Sequence, residues 1–165
     1  MINTRKILTV LFICVLATAT LLVSGCTEAV DDVEDMNDEE IESEVISIED
    51  ITEVKWQWSG LIENEPASQS VVPDPENYTI LFSEDGTYSI KADCNLGSGS
   101  YTLEGNELTL GPGPMTLAAC GPESLYDMYV TLIGNVNSVA MEDGNLVLYS
   151  GENMDKMMFI ASSEE

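Results

Sequence analysis

The sequence lacks histidine and has very few basic residues. Its 165 residues include no His, five Lys and Arg together, and 30 Asp and Glu, which gives a formal net charge of −25. Without an imidazole, catalysis by a histidine general base is excluded. So large a negative charge repels phosphate groups, and we therefore expect no nucleic-acid partner.

The usual sequence patterns of catalytic sites are also missing. No serine lies in a nucleophile elbow or in a Ser-x-x-Lys pair. The turn Gly111-Pro112-Gly113-Pro114 lacks the Lys-Ser/Thr ending of a phosphate-binding loop. Carboxylates are so numerous that no two stand out as the positioned acids of a glycosidase. We expect no enzyme and no cofactor, and keep an acid-dependent hydrolase of cell-surface polymer as the alternative.

No segment has the pattern of a metal site. The run Asp31–Asp38 is rich in carboxylates but lacks the glycine turn and the regular spacing of a calcium loop. Met154, Met157 and Met158 could form a soft copper(I) site. We favour packing instead, with Met158 inside and the other two at a rim, and we expect no bound metal.

The first 25 residues have the layout of a lipoprotein signal peptide. Arg5 and Lys6 precede an uncharged, mostly apolar run over residues 7–23. Leu22-Val23-Ser24-Gly25-Cys26 resembles a lipobox, which implies that Cys26 receives a diacylglyceryl group and becomes the first residue of the mature chain. Two acyl chains, at about 0.8 kcal/mol per buried methylene, form a durable anchor. We expect a lipid-anchored protein on the outer face of the cell membrane.

An uncleaved membrane helix is the alternative reading of this segment. The apolar run is about 17 residues long, near the lower limit for spanning a bilayer. Its position, its flanking residues and the cysteine favour cleavage and lipidation.

Residues 26–53 are predicted to form an acidic, disordered stalk. They contain many Asp and Glu, no Lys or Arg, and no aromatic residue. Such a segment buries too little apolar area to offset its ordering entropy, and its charges repel one another and extend it. Ile41, Val45 and Ile48 recur at helical spacing, which favours a short amphipathic helix near its end.

Residues 54–165 have the pattern of a domain that is mainly β. Trp56 and Trp58 alternate with polar residues, as on a strand with one buried face. Further strands are predicted over residues 78–82, 87–92, 100–103, 107–110, 139–141, 145–149 and 156–161, most of them joined by tight turns with glycine. An apolar stripe predicts one helix over residues 122–134. We expect an α+β fold, a curled antiparallel sheet or partial barrel of hairpin-joined strands with one packed helix.

Two segments of this domain resemble the signatures of a known family. Cys94-Asn95-Leu96-Gly97-Ser98-Gly99-Ser100-Tyr101 resembles the C-N-x-x-x-G-x-Y signature of META domains, the HslJ-like family, and Thr116-Leu117-Ala118-Ala119-Cys120 resembles its T-x-x-A-C signature. The likeness covers residues 55–161. One departure is Ala92, where family members often carry glycine. The resemblance implies an exported protein, often a lipoprotein, associated with stress and drug-tolerance phenotypes, and it carries over no catalytic residue.

Cys94 and Cys120 are the cysteines that remain besides the anchor. Outside the cytosol disulfides form and persist, and a bond between these two would contribute about 3–4 kcal/mol in the chain-entropy model. Buried free thiols are the second reading, and redox or metal chemistry is the third. A zinc site lacks ligands, because there is no histidine.

Other motif residues have structural readings. Asn95 is interpreted as a turn former rather than a ligand contact, Gly99 as a close backbone approach and Tyr101 as an aromatic packed on the sheet. Asn77-Tyr78-Thr79 matches the glycosylation sequon, so Asn77 is a candidate site.

The sequence thus favours a non-catalytic surface lipoprotein, expected to be a monomer. It would bind a surface protein or ligand, or buffer the cell envelope under stress. The competing binding hypothesis is a protease inhibitor that presents the Pro- and Ser-rich residues 64–77 as an exposed loop.

Overall fold

A computed structural model describes residues 45–163. The expected signal peptide, Cys26 and the stalk as far as residue 44 lie outside the described residues. The elements in chain order are α1 (Ile48–Ile51), β1 (Lys55–Asn64), β2 (Ala67–Val71), a 3-10 turn (Pro75–Asn77), β3 (Tyr78–Phe82), β4 (Thr87–Ala92), β5 (Asn95–Glu104), β6 (Glu107–Leu110), α2 (Tyr126–Gly134), β7 (Val136–Glu142), β8 (Asn145–Ser150) and β9 (Asp155–Ala161).

Eight of the nine strands form a closed antiparallel barrel. The order around it is β1-β3-β4-β5-β6-β7-β8-β9, and β9 pairs again with β1. The predicted α+β, mainly β class is confirmed, and the barrel closes fully rather than in part. Closure depends on the length of β1, whose ten residues pair with β3, β9 and the additional strand β2.

Alternate residues of the strands fill the barrel, as the pleat requires. On β1, Trp56, Trp58 and Leu61 are buried, and the step from 58 to 61 reflects a bulge at Ser59. Met157 is fully buried while Met158 is only partly buried. We expected the reverse, so the prediction of which β9 residues face the core was wrong by one residue. The fully buried Phe159, two residues after Met157, fixes this alternation.

Helix α2 covers one end of the barrel with Tyr129 and Ile133. The ring centroids of Tyr129 and Trp58 lie 5.4 Å apart, and both rings pack against Tyr78. The indole N–H of Trp58 and the hydroxyl of Tyr129 are buried without a hydrogen-bond partner among the described residues. The helix starts at Tyr126, later than predicted.

The late start of α2 has a visible cause. Residues 121–124 form a turn in which the Ser124 N–H bonds to the carbonyl of Gly121 (3.1 Å). The N–H of Leu125 donates to the Tyr78 hydroxyl (2.8 Å), which fixes the entry into the helix. Met128, expected on the apolar stripe, is 47% exposed.

The N-terminal segment closes the other end of the barrel. Ile46 and Ile51 are buried in the main core, and the Ile46 N–H donates to Asn106 in the β5–β6 turn (2.9 Å). The indole N–H of Trp56 donates to the carbonyl of Ile51 (2.9 Å). The folded domain therefore extends further toward the N-terminus than the expected boundary at residue 54. Within residues 45–163 no helix has the length and apolarity needed to cross a membrane.

Candidate functional site: the strap and its disulfide

Residues 111–120, which we call the strap, run from the end of β6 back along the first half of β5. Beside the strap, β5 pairs with β4 on its other edge. The N–H of Gly111 donates to Ser100 O (2.7 Å), that of Ser98 to Pro114 O (3.1 Å) and that of Thr116 to Leu96 O (2.9 Å). The strap thus takes over the free edge of β5 after β6 ends.

The structure joins Cys94 and Cys120 in a disulfide, with 5.7 Å between their Cα atoms. Cys94 lies in the two-residue turn between β4 and β5, and Cys120 ends the strap. The bond therefore ties the strap to the turn at which β5 begins. The buried-thiol and metal readings of these cysteines do not describe this structure.

Asn95, the first residue of β5, connects the strap to the barrel through its side chain. Its side chain is fully buried. The carboxamide nitrogen donates to Ala118 O (3.0 Å), and the carboxamide oxygen accepts from Thr116 Oγ1 (3.0 Å) and from Ala118 N (2.7 Å). The nitrogen also lies 3.3 Å from Cys120 Sγ. Asn95 is therefore more than a turn former: its buried amide holds the segment that carries the second signature.

Thr116 supplies the matching half of this network. Its hydroxyl donates to Asn95 and accepts the N–H of Leu96 (2.9 Å). The two family signatures are thus in direct contact, one on β5 and one on the strap. Ala119, between Ala118 and Cys120, is exposed and makes no contact that identifies its role.

Two glycines allow the close approach of strap and barrel. A Cβ at Gly99 would collide with Gly111 O and with the Tyr88 ring, and a Cβ at Gly113 would collide with Ser98 O. The hydroxyl of Tyr88 donates to Gly111 O (2.9 Å). The expected close approach at Gly99 is therefore present.

Tyr101 packs as an aromatic on the sheet. Its ring meets Phe82 edge-on with centroids 5.1 Å apart, and its hydroxyl donates to Ser83 O (2.9 Å). Partial burial raises the pKa of Tyr101, and the carboxylates of Asp85 and Glu84 raise it further. This residue braces the β3–β4 turn, away from the strap.

The outer surface of the strap is apolar and uncharged. Residues 108–122 contain no Asp, Glu, Lys or Arg, and neither do residues 94–103. Leu117 is 84% exposed and Leu96 is 62% exposed, on adjacent segments of the strap and β5. Pro112, Pro114 and Ala118, at other positions of the strap, are also exposed. Sequence reasoning missed this surface, although the charge-free stretches were visible.

A cavity of about 420 Å³ lies between the strap and the C-terminal half of α2. Its apolar lining includes Leu110, Met115, Val130 and Ile133. Tyr88 also lines it, and burial raises the pKa of that phenol. No charged residue lines this cavity.

Other candidate groups lie elsewhere. Among residues 45–163 no three acidic or cysteine side chains are placed to hold a metal ion. Asn77 ends the 3-10 turn and accepts a hydrogen bond from Lys91 (2.8 Å). Thr79 of the sequon is buried in β3, so a glycosyltransferase would have to act before this strand folds.

Comparison with solved structures shows the same fold in two bacterial proteins. One is a protein from Burkholderia xenovorans solved by NMR, with 22% identity, a TM-score of 0.56, and coverage of 69% of this chain and 85% of that one. The other is the crystal structure of a DUF4847 family protein from Bacteroides vulgatus, with 10% identity, a TM-score of 0.50, and coverage of 70% and 96%.

No curated protein matches the sequence. Residues 49–164 match the META domain. This match spans both signatures and nearly every described element, and the chain therefore belongs to the META domain family.

Proposed function

We propose that this protein is a non-catalytic lipoprotein of the cell surface whose META domain binds a protein partner through the strap surface. That surface consists of the exposed parts of Leu96, Pro112, Pro114, Leu117 and Ala118. Cys26 would carry the lipid, and residues 27–44 would separate the domain from the membrane.

The exposure of two leucines on a rigid, uncharged segment is the observation that carries the proposal. Exposed leucines occur singly on most proteins, but a group of exposed apolar side chains is typical of interaction surfaces. Here the contrast is large, because the chain as a whole has a net charge of −25. The strap itself carries no charge, but Leu96 lies opposite Lys91 on β4 and lines a hollow with Lys91, Lys55 and Glu76. The apolar surface therefore has a charged rim on its β4 side, as protein interfaces commonly do.

The bracing of the strap supports the same proposal. A disulfide, the Asn95 amide and the backbone bonds to β5 hold the segment in one conformation. A surface that is already ordered loses little conformational entropy on binding. In this proposal, the buried polar network around Asn95 holds Leu96 and Leu117 in place for the partner.

The structure of residues 64–77, the proposed inhibitory loop, gives little support to the protease-inhibitor hypothesis. Residues 64–77 include β2 and a 3-10 turn rather than one open loop. A hydrolase would need two acids in a cleft. The cavity beside the strap contains none, whereas Asp74, Asp93 and Glu123 line an open cleft of about 550 Å³, and substituting these three acids is the test of the hydrolase alternative.

Photocrosslinking tests the binding surface in cells. A photoreactive amino acid at Leu117 is expected to give one crosslinked partner band, and the same amino acid at Ile160 on β9, which is 40% exposed, should not. Replacing Leu96 with aspartate should remove the Leu117 band because it places a charge in the surface. Equal bands from positions 117 and 160 would contradict the proposal.

Intact-mass spectrometry of membrane-extracted protein tests the anchor. We expect cleavage after Gly25 and the added mass of a diacylglyceryl group on Cys26. A chain that keeps residues 1–25 and carries no lipid would remove the anchor from the proposal while leaving the strap surface open to the crosslinking test.

A further inference from the structure

Among residues 45–163, strand β2 pairs with a neighbouring strand on one side only. It pairs with the second half of β1. Nearer the start of β1, the same side of that strand pairs with β3 instead. All five residues of β2 are exposed. The β1–β2 hairpin therefore extends beyond the barrel wall with one free edge.

The backbone hydrogen bonds fix which groups face that edge. The N–H of Val72 donates to Ser59 O (3.0 Å), one step beyond the Gly60–Val71 pair. In an antiparallel ladder, this bond places Gly60 and Val71 at a non-hydrogen-bonded position, and positions alternate from there. Val71 therefore directs its own N–H and C=O away from β1.

The same alternation applies to the rest of the strand. Gln69 and Ala67 are two and four residues from Val71, so their backbone groups also point to the free edge. At the far end of the hairpin, Asn64 turns its N–H toward Asp155 Oδ1 (3.0 Å) rather than toward β2, as this phase requires. Three successive N–H and C=O pairs thus face outward.

We propose that this edge binds an extended, basic peptide segment of another protein as an added β-strand. Main-chain bonds to residues 67, 69 and 71 would supply the affinity, as in strand addition to other exposed sheet edges. Such an edge is normally protected by lysine, proline or a bulge inside the strand. The sequence Ala-Ser-Gln-Ser-Val from 67 to 71 contains none of these residues and no charge.

Charge around the hairpin selects a basic occupant. The acidic residues Glu63 and Glu65 lie on the hairpin itself, while Glu152 and Asp155 lie on the β8–β9 turn and β9, across β1 from the free edge. Asn64 fastens the hairpin to that turn through bonds to Asn153 O (2.8 Å) and Met154 O (2.9 Å). Cationic side chains of an added strand near the hairpin turn would lie close to Glu63 and Glu65, and the net charge of −25 attracts a basic strand at longer range.

A second copy of this chain is a poorer occupant. Two chains that each carry a net charge of −25 repel one another, whereas a basic strand is attracted. Val71, which is 82% exposed on the same face as Gln69, gives the edge one apolar side chain. The added strand should therefore carry valine or threonine in its middle and lysine at its ends.

Binding of a fluorescent peptide tests the proposal on the full chain in detergent. The probe is a nonapeptide of alternating threonine and valine with two lysines at each end, and its control has glutamates in place of the lysines. Fluorescence anisotropy should show saturable binding of the lysine peptide, weakened by added salt, and at least tenfold weaker binding of the glutamate peptide.

Two variants at one position separate backbone from side chain. Gln69→Pro removes the central outward N–H but no bond to β1, and should weaken binding at least fivefold. Gln69→Ala keeps that N–H and should change binding less than twofold. In the unmodified chain, the amide of Gln69 should become protected from hydrogen exchange when the lysine peptide is added, a readout that does not depend on any variant.

Three results would overturn the proposal. The first is equal binding of both peptides, and the second is no change in protection of the Gln69 amide at saturating peptide. The third is a dimer in sedimentation equilibrium that Gln69→Pro dissociates, because the edge would then be filled by a second copy. Monomer at the assay concentration, with binding lost in the proline variant alone, supports it.

Discussion

The two ends of the barrel are closed by different chemistry. At the α1 end, Ile46 and Ile51 insert apolar side chains. The backbone there donates from Ile46 N–H to Asn106 and from Glu53 N–H to Phe82 O, and it accepts at Ile51 O from the Trp56 indole. At the strap end, α2 supplies the apolar cover, while a disulfide and the buried Asn95 amide fix a segment that itself buries little. The α1 end is thus held mainly by apolar burial, whereas the strap, which is largely exposed, is held mainly by the disulfide and the Asn95 network.

This difference separates stability from function in a testable way. Substitutions at the α1 end should lower stability without changing the strap surface. Substitutions in the strap network should lower stability and also release Leu96 and Leu117.

The largest effect is expected from removal of the disulfide. Replacing Cys94 and Cys120 together with alanine should lower the free energy of unfolding by about 3–4 kcal/mol, because their sequence separation is 26 residues and the unfolded chain gains that loop freedom. Urea denaturation followed by tryptophan fluorescence measures the change.

A reductant supplies the control for this prediction. Dithiothreitol should lower the unfolding midpoint of the unmodified chain toward that of the double variant, and should leave the double variant unchanged. If the unmodified chain without reductant had the same unfolding midpoint as the double variant, the disulfide would not stabilise the strap end.

At the α1 end, Ile51→Ala should cost about 3 kcal/mol, within the range of 2–5 kcal/mol for truncating a buried isoleucine. The side chain is fully buried, whereas Ile48 on the same short helix is 40% exposed. Ile48→Ala is therefore the matched control and should cost well under 1 kcal/mol. Similar losses from both variants, measured by urea denaturation, would mean that α1 does not close the barrel.

The network at the strap end should show coupling. Asn95→Ala leaves Thr116 Oγ1 and the Ala118 backbone groups without their partner, which should cost about 2 kcal/mol. In the variant without the disulfide, Asn95→Ala should lower the free energy of unfolding by less. The released strap can then move, and its unpaired polar groups can hydrogen-bond to water. A double-mutant cycle measures that difference. Strict additivity would show that the amide and the disulfide hold the strap independently.

Local sequence patterns predicted most of the barrel. Asp-Gly and Glu-Gly-Asn turns placed the hairpins β3–β4, β5–β6 and β7–β8, because glycine accepts the positive φ that Gly86, Gly105 and Gly144 adopt. Strand ends at these turns agree with the structure within a few residues. Period and turn chemistry are local properties, so a single sequence contains them.

What the sequence did not reveal depends on contacts between distant segments. The buried positions of Ile46 and Ile51 arise from the barrel end they meet, while their acidic neighbours make the segment read as a stalk. Strand β2 lies in a stretch flanked by prolines and lacks alternation. The strap surface was not predicted because leucines are usually buried in cores, whereas Leu96 and Leu117 are exposed here.

The smallest effect is expected on the barrel wall, away from both ends. Lys156 Nζ lies 2.9 Å from Glu142 Oε1, and Tyr149 donates to the same carboxylate (3.1 Å). The bond from Lys156 is the main cause that lowers the pKa of Glu142, and the bond from Tyr149 acts in the same direction. Because both side chains of the ion pair are about one-third exposed, Glu142→Gln should cost less than about 1 kcal/mol at neutral pH.

The sign of the pH dependence follows from that lowered pKa. A carboxylate whose pKa is lower in the folded state stabilises the fold above its unfolded pKa and loses this contribution as pH falls through the folded value. The stability difference between the unmodified chain and Glu142→Gln should therefore be constant near neutral pH and shrink on acidification below about 4.5, the ordinary pKa of glutamate. Glu104→Gln, an exposed change in the β5–β6 hairpin, is the control for the general acid sensitivity of so acidic a chain. A gap that widens toward low pH would mean that Glu142 destabilises the wall, and the contrast between wall and ends would then need another cause.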